Sequence, residues 1–282
     1  MSIITSQQIA RYYELFKNVD VTFTKGVIEA TGLITRQIYL KCLGEQWPCV
    51  IYSCSMSEAK IIAGLTADSF EKIRKANNMV SLRFSFQQAG KIDPLAFFLT
   101  AKAIGFNPYN KDNTDLTFIT LNYTQRPPDD LIEILGTLLE ANVNSKKRKE
   151  ERILLTSDAI RKLGIKAKEA QILIQGIPRK GILRDISFSG AKIIIIGVAR
   201  FLVDKEATLK IELEEKNKII VLNGKILRFE PVEGRKDLAA LVVLFDEKSI
   251  PMEYKMIINE YLTQIRKSLD LQNPSTKDSS PA

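Results

Sequence analysis

Alternation of apolar and polar residues dominates both halves of the chain. In the first half it predicts strands at 21–24, 38–43, 49–53, 80–86, 96–103 and 116–122. In the second half it predicts strands at 169–174, 179–186, 191–196, 208–213, 218–229 and 238–245. Turn-forming residues such as Asn223 and Gly224 separate these stretches. The fold class is therefore predicted to be mostly β with flanking helices.

Helical spacing of apolar residues occurs only between and beside these strands. It predicts helices at 5–18 and 66–78, a helix that follows Pro127 and Pro128, a helical turn at 157–163, and a closing helix at 251–269. Asp129 and Asp130 favour the N-terminus of the helix after the two prolines. These helices are expected to flank the β-structure.

The length of 282 residues and a hydrophobic content of 45% fit two domains better than one. We predict a first domain at 1–142, a basic linker at 143–152, a second domain at 153–268, and a Ser- and Pro-rich, disordered tail at 269–282. The first domain is interpreted as an antiparallel β-barrel or a sandwich, with a helix at each end.

Positive charge is concentrated in the second half. Residues 1–142 hold 14 Lys and Arg against 14 Asp and Glu, whereas residues 143–282 hold 27 against 19. Lys146 to Lys149 place four cations in succession, an arrangement that an anion would stabilise. An anionic partner is therefore expected to bind the second half.

Composition argues against catalysis. The chain has no histidine, which removes the usual near-neutral general base and every imidazole metal site. Phosphate-loop and dinucleotide-binding glycine patterns are also missing from the sequence. Cys42, Cys49 and Cys54 are predicted to be reduced and buried. We expect a protein that is not an enzyme, has no cofactor or metal, carries no membrane span or signal peptide, and resides in the cytoplasm.

Two motifs carry the candidate chemistry. Arg148 and Arg152 form an R-x-x-x-R step, which alone has little specificity. Asp185, Ser187 and Gly190 form a D-x-S-x-x-G step between two β-rich runs, and this motif is much rarer by chance. Lys147, Lys149 and Arg184 are possible secondary contacts.

The residue types of the two motifs suit a ligand with phosphates and guanines. An arginine fork can bond phosphate or the guanine O6/N7 edge, and its flat face can stack on a purine. Asp185 can accept hydrogen bonds from guanine N1 and N2, and strand alternation is expected to turn Ser187 to the same face. Gly190 permits a tight turn or a close approach to the backbone.

The order and context of these motifs resemble the PilZ family of cyclic di-GMP receptors. The resemblance implies two tandem PilZ-like antiparallel β-barrels, the first of them without the ligand motif. It also implies that Arg148 and Arg152 bind phosphate and guanine, that Asp185 and Ser187 bind a guanine edge, and that Gly190 shapes the backbone. We hypothesise that cyclic di-GMP bridges the linker and the second barrel and changes the domain arrangement. Before the ligand arrives, both arginines should face solvent.

Other classes of function stay open. A basic linker and a pI of about 9.2 also fit a nucleic-acid-binding barrel, although residues 146–152 lack aromatic side chains for base stacking. A third possibility is an adaptor protein that binds no small ligand. In that case the two motifs would occur together by chance. A downstream protein partner is expected to dock on the first domain or the closing helix.

Overall fold

The computed structural model describes residues 5–88, 90–110, 113–197, 199–215 and 218–272. The chain divides into two compact units, Met1–Leu139 and Glu140–Ala282. Each unit is built around its own antiparallel sheet. The chain thus contains two separate β-structures.

The first unit begins with helices and short strands and continues into a long meander. Its elements are α1 (Ser6–Phe16), β1 (Val21–Thr22), α2 (Lys25–Thr31), a 3-10 turn (Thr35–Gln37), β2 (Tyr39–Cys42), β3 (Glu45–Cys54), β4 (Glu58–Gly64), α3 (Ala67–Lys75), β5 (Met79–Phe86), β6 (Leu95–Asn110) and β7 (Asn113–Tyr123). The strands pair in the order β3-β2-β5-β6-β7-β4, and β4 returns to β3. This unit is therefore a closed six-stranded barrel rather than an open sandwich, with β1 added outside on β3.

The second unit repeats that plan. Its elements, after α4 (Asp129–Lys147), are β8 (Ile153–Leu154), α5 (Ser157–Leu163), β9 (Glu169–Ile174), β10 (Ile177–Ile186), β11 (Gly190–Ile196), β12 (Glu206–Glu212), β13 (Ile219–Val232), β14 (Arg235–Phe245) and α6 (Met252–Gln272). The strands pair in the order β10-β11-β14-β13-β12-β9, β9 closes on β10, and β8 is added outside on β10. The expectation of two tandem antiparallel barrels with flanking helices is confirmed.

Strand alternation builds the core of each barrel. Along β11, Ala191, Ile193 and Ile195 are buried, whereas Lys192 and Ile194 between them are partly exposed. Burial of one aliphatic side chain of this size contributes about 1.5–3 kcal/mol before entropic costs. The inward positions therefore stabilise the barrel and leave the outward positions available for chemistry.

One strand and one α-helix of the first unit were not predicted. Strand β4 has alanine at two of its three buried positions, Ala59 and Ala63, and alanine gives a weak strand signal. Helix α2 has only seven residues, too few to establish a period, and ends at Gly32 with a φ of 70°. Helix α5 in the second unit matches the predicted helical turn and ends in the same way at Gly164, with a φ of 62°.

The boundaries of two helices differ from the prediction. Helix α4 continues to Lys147, so the first half of the predicted linker is helical. Its polar residues find partners there: the Ser145 hydroxyl donates to the carbonyl of Asn142 at 2.8 Å, and the Asn144 amide donates to Asn259 of α6 at 2.7 Å. Residues 269–272, predicted to begin a disordered tail, belong to α6, and the rest of that tail lies outside the described residues.

Within the described ranges, no helix combines the length and the apolar character needed to cross a membrane. The three cysteines are buried and free, as predicted. Burial raises the pKa of the Cys49 thiol to about 12 and also raises the pKa of Cys54. The thiols are therefore protonated at neutral pH.

Candidate functional site

The side chains of Arg152 and Asp185 meet because a two-residue strand pairs with the end of β10. Strand β8 begins directly after Arg152 and runs antiparallel to β10, with Leu154 opposite Asp185 and Ile153 opposite Ile186. The Arg152 guanidinium donates a hydrogen bond to the Asp185 carboxylate and forms an ion pair with it. The two sequence motifs are thereby joined in space.

A β-bulge turns Asp185 to the outer face of the barrel. The register between β10 and β11 shifts between Leu183 and Asp185, so Arg184 is an extra residue and is exposed. After the bulge, Asp185 lies opposite Lys192, and Ile186 faces the core. Although Asp185 is on the outer face, it is only 9% exposed, because β8 and Arg152 partly cover it.

Ser187 is buried in the turn that follows Asp185. Strand β10 ends at Ile186, and the chain turns before β11 begins. The Ser187 side chain is fully buried, and its hydroxyl accepts from the Gly190 N–H at 3.1 Å and lies 3.2 Å from the Gly190 carbonyl. The backbone N–H of Ser187 also donates to that carbonyl at 2.8 Å. Ser187 therefore closes the turn behind Asp185.

Gly190 is required by a close approach of strand β14. A Cβ atom at this position would lie 2.4 Å from the carbonyl oxygen of Val243. Such a contact could be relieved only by moving the backbone of one of the two strands. Gly190 thus brings β11 close to β14, the role expected of it in the sequence, although the neighbour is a strand.

Tyr254 of α6 stabilises this turn from the buried side. It was not identified from the sequence. Its hydroxyl donates to the carbonyl oxygen of Ser187 at 2.7 Å, and its ring packs edge-on against Phe245 with centroids 5.9 Å apart. Burial raises the pKa of the Tyr254 phenol well above its ordinary value, so the hydroxyl remains a donor. No motif links an aromatic residue on α6 to the turn; only the tertiary fold does.

The segment after α4 is attached to the second barrel by hydrogen bonds and ion pairs. The backbone N–H and the hydroxyl of Ser189 both point to the carbonyl of Lys149, at 3.3 and 2.9 Å. The Lys149 ammonium lies 2.7 Å from Glu247, and Glu151 forms an ion pair with Arg266 of α6. The second half of the predicted linker is therefore bound to the second barrel and to α6.

The two motif arginines differ in their surroundings. Arg152 remains exposed to solvent while its guanidinium is engaged by Asp185. Arg148 is half-buried, and within the described part of the chain its side chain has no hydrogen bond or ion pair. Lys147 is exposed in the last turn of α4. The Arg148 guanidinium is thus available to an incoming group.

Further lysines add positive potential on the same side. The pKa of Lys255 on α6 is lowered by burial and then by the neighbouring charge of Lys146. The ammonium of Lys149 holds the pKa of Glu247 below its ordinary value, with smaller contributions from Lys255 and Lys146. A partly buried ammonium beside a like charge is destabilised, and an anion placed near it would relieve that cost.

These groups can bind a ligand that has both anionic and hydrogen-bond-donating edges. Arginine supplies a planar cationic fork and a stacking face, and the Asp185 carboxylate accepts hydrogen bonds only. Among the described residues, no cluster of acidic or cysteine side chains could hold a metal ion. The arrangement therefore supports recognition by hydrogen bonding and charge.

Comparison with known proteins agrees with this architecture. The PilZN3 domain matches residues 7–142, and the PilZ domain matches residues 146–264. A protein of Treponema denticola named "Cyclic di-GMP binding protein" is 46% identical over 267 residues, which cover 95% of this chain and 85% of that protein.

Two solved structures are also similar to this chain. The Borreliella burgdorferi PlzA protein in complex with c-di-GMP is 26% identical, with 91% of this chain and 98% of that chain covered and a TM-score of 0.41. The Bacillus subtilis inhibitor of motility MotI/DgrA is 13% identical, with 84% and 98% covered and a TM-score of 0.32. On the strength of the two domain matches and the Treponema relative, this chain belongs to the PilZ family.

Proposed function

We propose that this chain is a receptor for cyclic di-GMP, which binds at the second barrel against the segment that follows α4. The observation that carries the proposal is the contact between Arg152 and Asp185. Arg148, four residues earlier, has no side-chain hydrogen bond or ion pair to any described residue. The Treponema denticola relative is named for binding this dinucleotide, and the 46% identity extends over nearly the whole chain.

The ligand chemistry fits these residues. Cyclic di-GMP carries two phosphodiester anions and two guanines, and Arg148 and Arg152 can grip phosphate or stack on a guanine. Asp185 can accept from guanine N1 and N2 once Arg152 has turned to the ligand. Ser187 and Gly190 shape the turn that holds Asp185, since the Ser187 hydroxyl is buried and already bonded within the turn.

The mechanism is binding without turnover. The ligand replaces an existing ion pair rather than folding a disordered linker, because residues 148–152 already contact the second barrel. These residues directly follow α4, whose first half belongs to the other unit. A changed position of Arg148 and Arg152 would be transmitted to α4 and alter the domain arrangement, which a downstream protein would then recognise.

We place the receptor in the cytoplasm. Its three cysteines are free and buried, which fits a reducing compartment. Fractionation of cells, followed by detection of this chain, would test the assignment.

Isothermal calorimetry with cyclic di-GMP tests the proposed function. The wild-type chain should bind with micromolar or tighter affinity, which corresponds to about 8 kcal/mol or more. Arg148→Ala, Arg152→Ala and Asp185→Asn should each weaken binding strongly. The matched control is Arg161→Ala, because Arg161 is 76% exposed on α5 and pairs only within that helix. Cyclic di-AMP, GTP and cyclic GMP should bind far more weakly. No heat of binding with cyclic di-GMP would end the proposal.

Nucleic-acid binding is a second candidate, and one observation on the first barrel favours it. Tyr39, Arg83 and Phe98 lie side by side on β2, β5 and β6. The Arg83 guanidinium is 5.3 Å from the Tyr39 ring centroid, and the ammonium of Lys41 is 5.9 Å from that of Phe98, which is 48% exposed. Cations beside exposed rings suit single-stranded bases. Salt-dependent binding of a single-stranded oligonucleotide that is lost in Phe98→Ala would support this candidate.

A further inference from the structure

The two barrels share one backbone arrangement, called the frame below: a strand pair with a register shift, and a short outer strand beside it. The side chains at equivalent positions of this frame differ. In the first barrel, the register between β3 and β4 shifts between Ile51 and Ser53, as it does between Leu183 and Asp185 in the second. After the shift, Ser53 pairs with Lys60 in the first barrel, and Asp185 pairs with Lys192 in the second.

The short outer strands extend this equivalence. Thr22 of β1 pairs with Ser53, and Leu154 of β8 pairs with Asp185. Asp20 therefore stands immediately before β1 just as Arg152 stands immediately before β8. Each barrel thus has a lysine across from the central residue of this frame, and a charged residue directly before the short strand.

In the first barrel, the lysine reaches the residue that precedes the short strand. The Lys60 ammonium lies 2.8 Å from Asp20 Oδ2 and 3.0 Å from Glu58 Oε1. The Ser53 hydroxyl donates to the same Asp20 oxygen at 3.0 Å. A lysine at this register position is therefore long enough to bring its ammonium to the charged group of the residue that precedes the outer strand.

In the second barrel, the equivalent lysine points elsewhere. Arg152 is a cation, so it repels Lys192, and the Lys192 ammonium instead lies 2.9 Å from Glu230 Oε2 on β13. That contact crosses over strand β14, since Lys192 pairs with Val242 and Ala240 pairs with Glu230. The hydrogen bond from Lys192 holds the pKa of Glu230 below its ordinary value, and Arg228 assists. The side chain of Lys192 is 26% exposed.

We infer that Lys192 is a third ligand-binding cation of the site, held by Glu230 until a phosphodiester anion reaches Arg152. This inference rests on the proposed function and deepens it. An anion beside Arg152 would reverse the local repulsion, and the Lys192 ammonium could then turn from Glu230 to the phosphate, over the reach that Lys60 demonstrates. Sequence reasoning passed over Lys192 because it stands outside both motifs.

Calorimetry on four variants of the full chain tests the inference, with cyclic di-GMP as the probe. Lys192→Met should weaken binding by about tenfold or more, as expected for loss of one charge-assisted hydrogen bond. Lys192→Arg should keep most of the affinity. Glu230→Gln should tighten binding by roughly threefold, because it releases Lys192. The matched control is Lys180→Met, which removes an exposed lysine from the same strand as Asp185 and should change nothing.

The double variant Lys192→Met/Glu230→Gln tests whether Glu230 acts as a latch, that is, by holding Lys192 in an ion pair, or only through a general change in charge. If Glu230 acts only by holding Lys192, its substitution should have no effect in the Lys192→Met background. Equal gains from Glu230→Gln in both backgrounds would overturn the latch. Wild-type affinity in Lys192→Met, together with lost binding in Arg152→Ala, would overturn the role of Lys192 and leave the proposed function standing. Loss of cyclic di-GMP binding in the wild type would remove both. Thermal denaturation of each variant checks that the fold is intact.

Discussion

Arg152 and Asp185 form an ion pair across the antiparallel contact between β8 and β10. Each of the two residues occupies a position in one of the two motifs, and each is assigned to the same ligand. In the structure, the cation that should grip phosphate and the carboxylate that should accept from guanine satisfy one another. Under the proposed function, recognition of the dinucleotide would begin with an exchange of partners, and the affinity would contain the cost of separating this pair.

Substitution of the two arginines should separate stability from binding. Arg152→Ala leaves the Asp185 carboxylate, whose side chain is 12% exposed, without its partner, and should lower the free energy of unfolding of the second unit by about 1 kcal/mol. Arg148→Ala should leave that free energy unchanged, because its side chain lacks a described partner. Urea denaturation followed by circular dichroism measures both. Equal loss in the two variants would contradict the difference in their surroundings.

Gly190→Ala should destabilise the second barrel. The added Cβ would lie 2.4 Å from the carbonyl oxygen of Val243, and strands β11 and β14 would have to move apart, at a cost of about 1–3 kcal/mol. Gly26→Ala in α2 is the control, since a Cβ there contacts nothing and alanine favours a helix. Scanning calorimetry should show a lower melting temperature only for Gly190→Ala. An unchanged melting temperature would show that the strands can yield.

Ser187→Ala should act through the turn rather than through a ligand contact. The variant loses the hydrogen bonds between the Ser187 hydroxyl and Gly190, which should cost about 1 kcal/mol of stability. Ser55→Ala removes the equivalent hydroxyl from the first barrel, where it accepts from the N–H of Glu58 at 3.1 Å, and should cost about the same. Only Ser187→Ala should also weaken cyclic di-GMP binding, as measured by calorimetry. Full loss of binding with unchanged stability would instead assign Ser187 to the ligand.

The buried phenol of Tyr254 should make stability fall in alkaline solution. Burial raises its pKa in the folded chain, whereas the phenol of an unfolded chain titrates near pH ~10. Above that pH, the unfolded state releases a proton that the folded state keeps, so the free energy of unfolding decreases by up to about 1.4 kcal/mol per pH unit.

Tyr254→Phe removes this contribution. The variant should be about 1 kcal/mol less stable at pH ~7, because the hydrogen bond to the Ser187 carbonyl is lost. Its stability should decrease less steeply above pH ~10, although buried Cys54 and Tyr123, whose pKa values are also raised, act in both proteins. Urea denaturation at a series of pH values checks the slopes. Parallel curves for the wild type and the variant would contradict the assignment.

Much of the architecture could be predicted from the sequence because barrel strands alternate regularly. The pattern in β10 and β11 locates Asp185 near a strand end, and the helical turn at α5 follows from its cap and spacing. The contact between Arg152 and Asp185 could be hypothesised from the motifs alone. Its cause could not, since β8 is only two residues long and has no period of its own.

The remaining differences arise from tertiary contacts. The burial of Ser187 could not be predicted because alternation assumes that the strand continues, whereas β10 stops at Ile186 and the hydroxyl bonds within the turn. Lys146 and Lys147 read as linker, yet cations in the last turn favour a helix end, and Asn144 finds a partner on α6. Tyr254 and Lys192 lie outside the motifs, and their positions depend on how α6 and β11 pack against the turn.

The repetition of one frame with different side chains has a practical consequence. Where the second barrel holds Arg152 and Gly190, the first presents the carboxylates of Asp20 and Glu58 to the single ammonium of Lys60. One cation offsets only one of the two carboxylates, so under the proposed function a dianionic messenger is expected at the second barrel and not at this position of the first, which then serves as an internal control. Spectroscopic signals from the Asp185 turn should change as cyclic di-GMP is added, whereas signals from the Ser53 turn should not. The difference between the two would report occupancy of the site, without any general effect of the nucleotide on the protein.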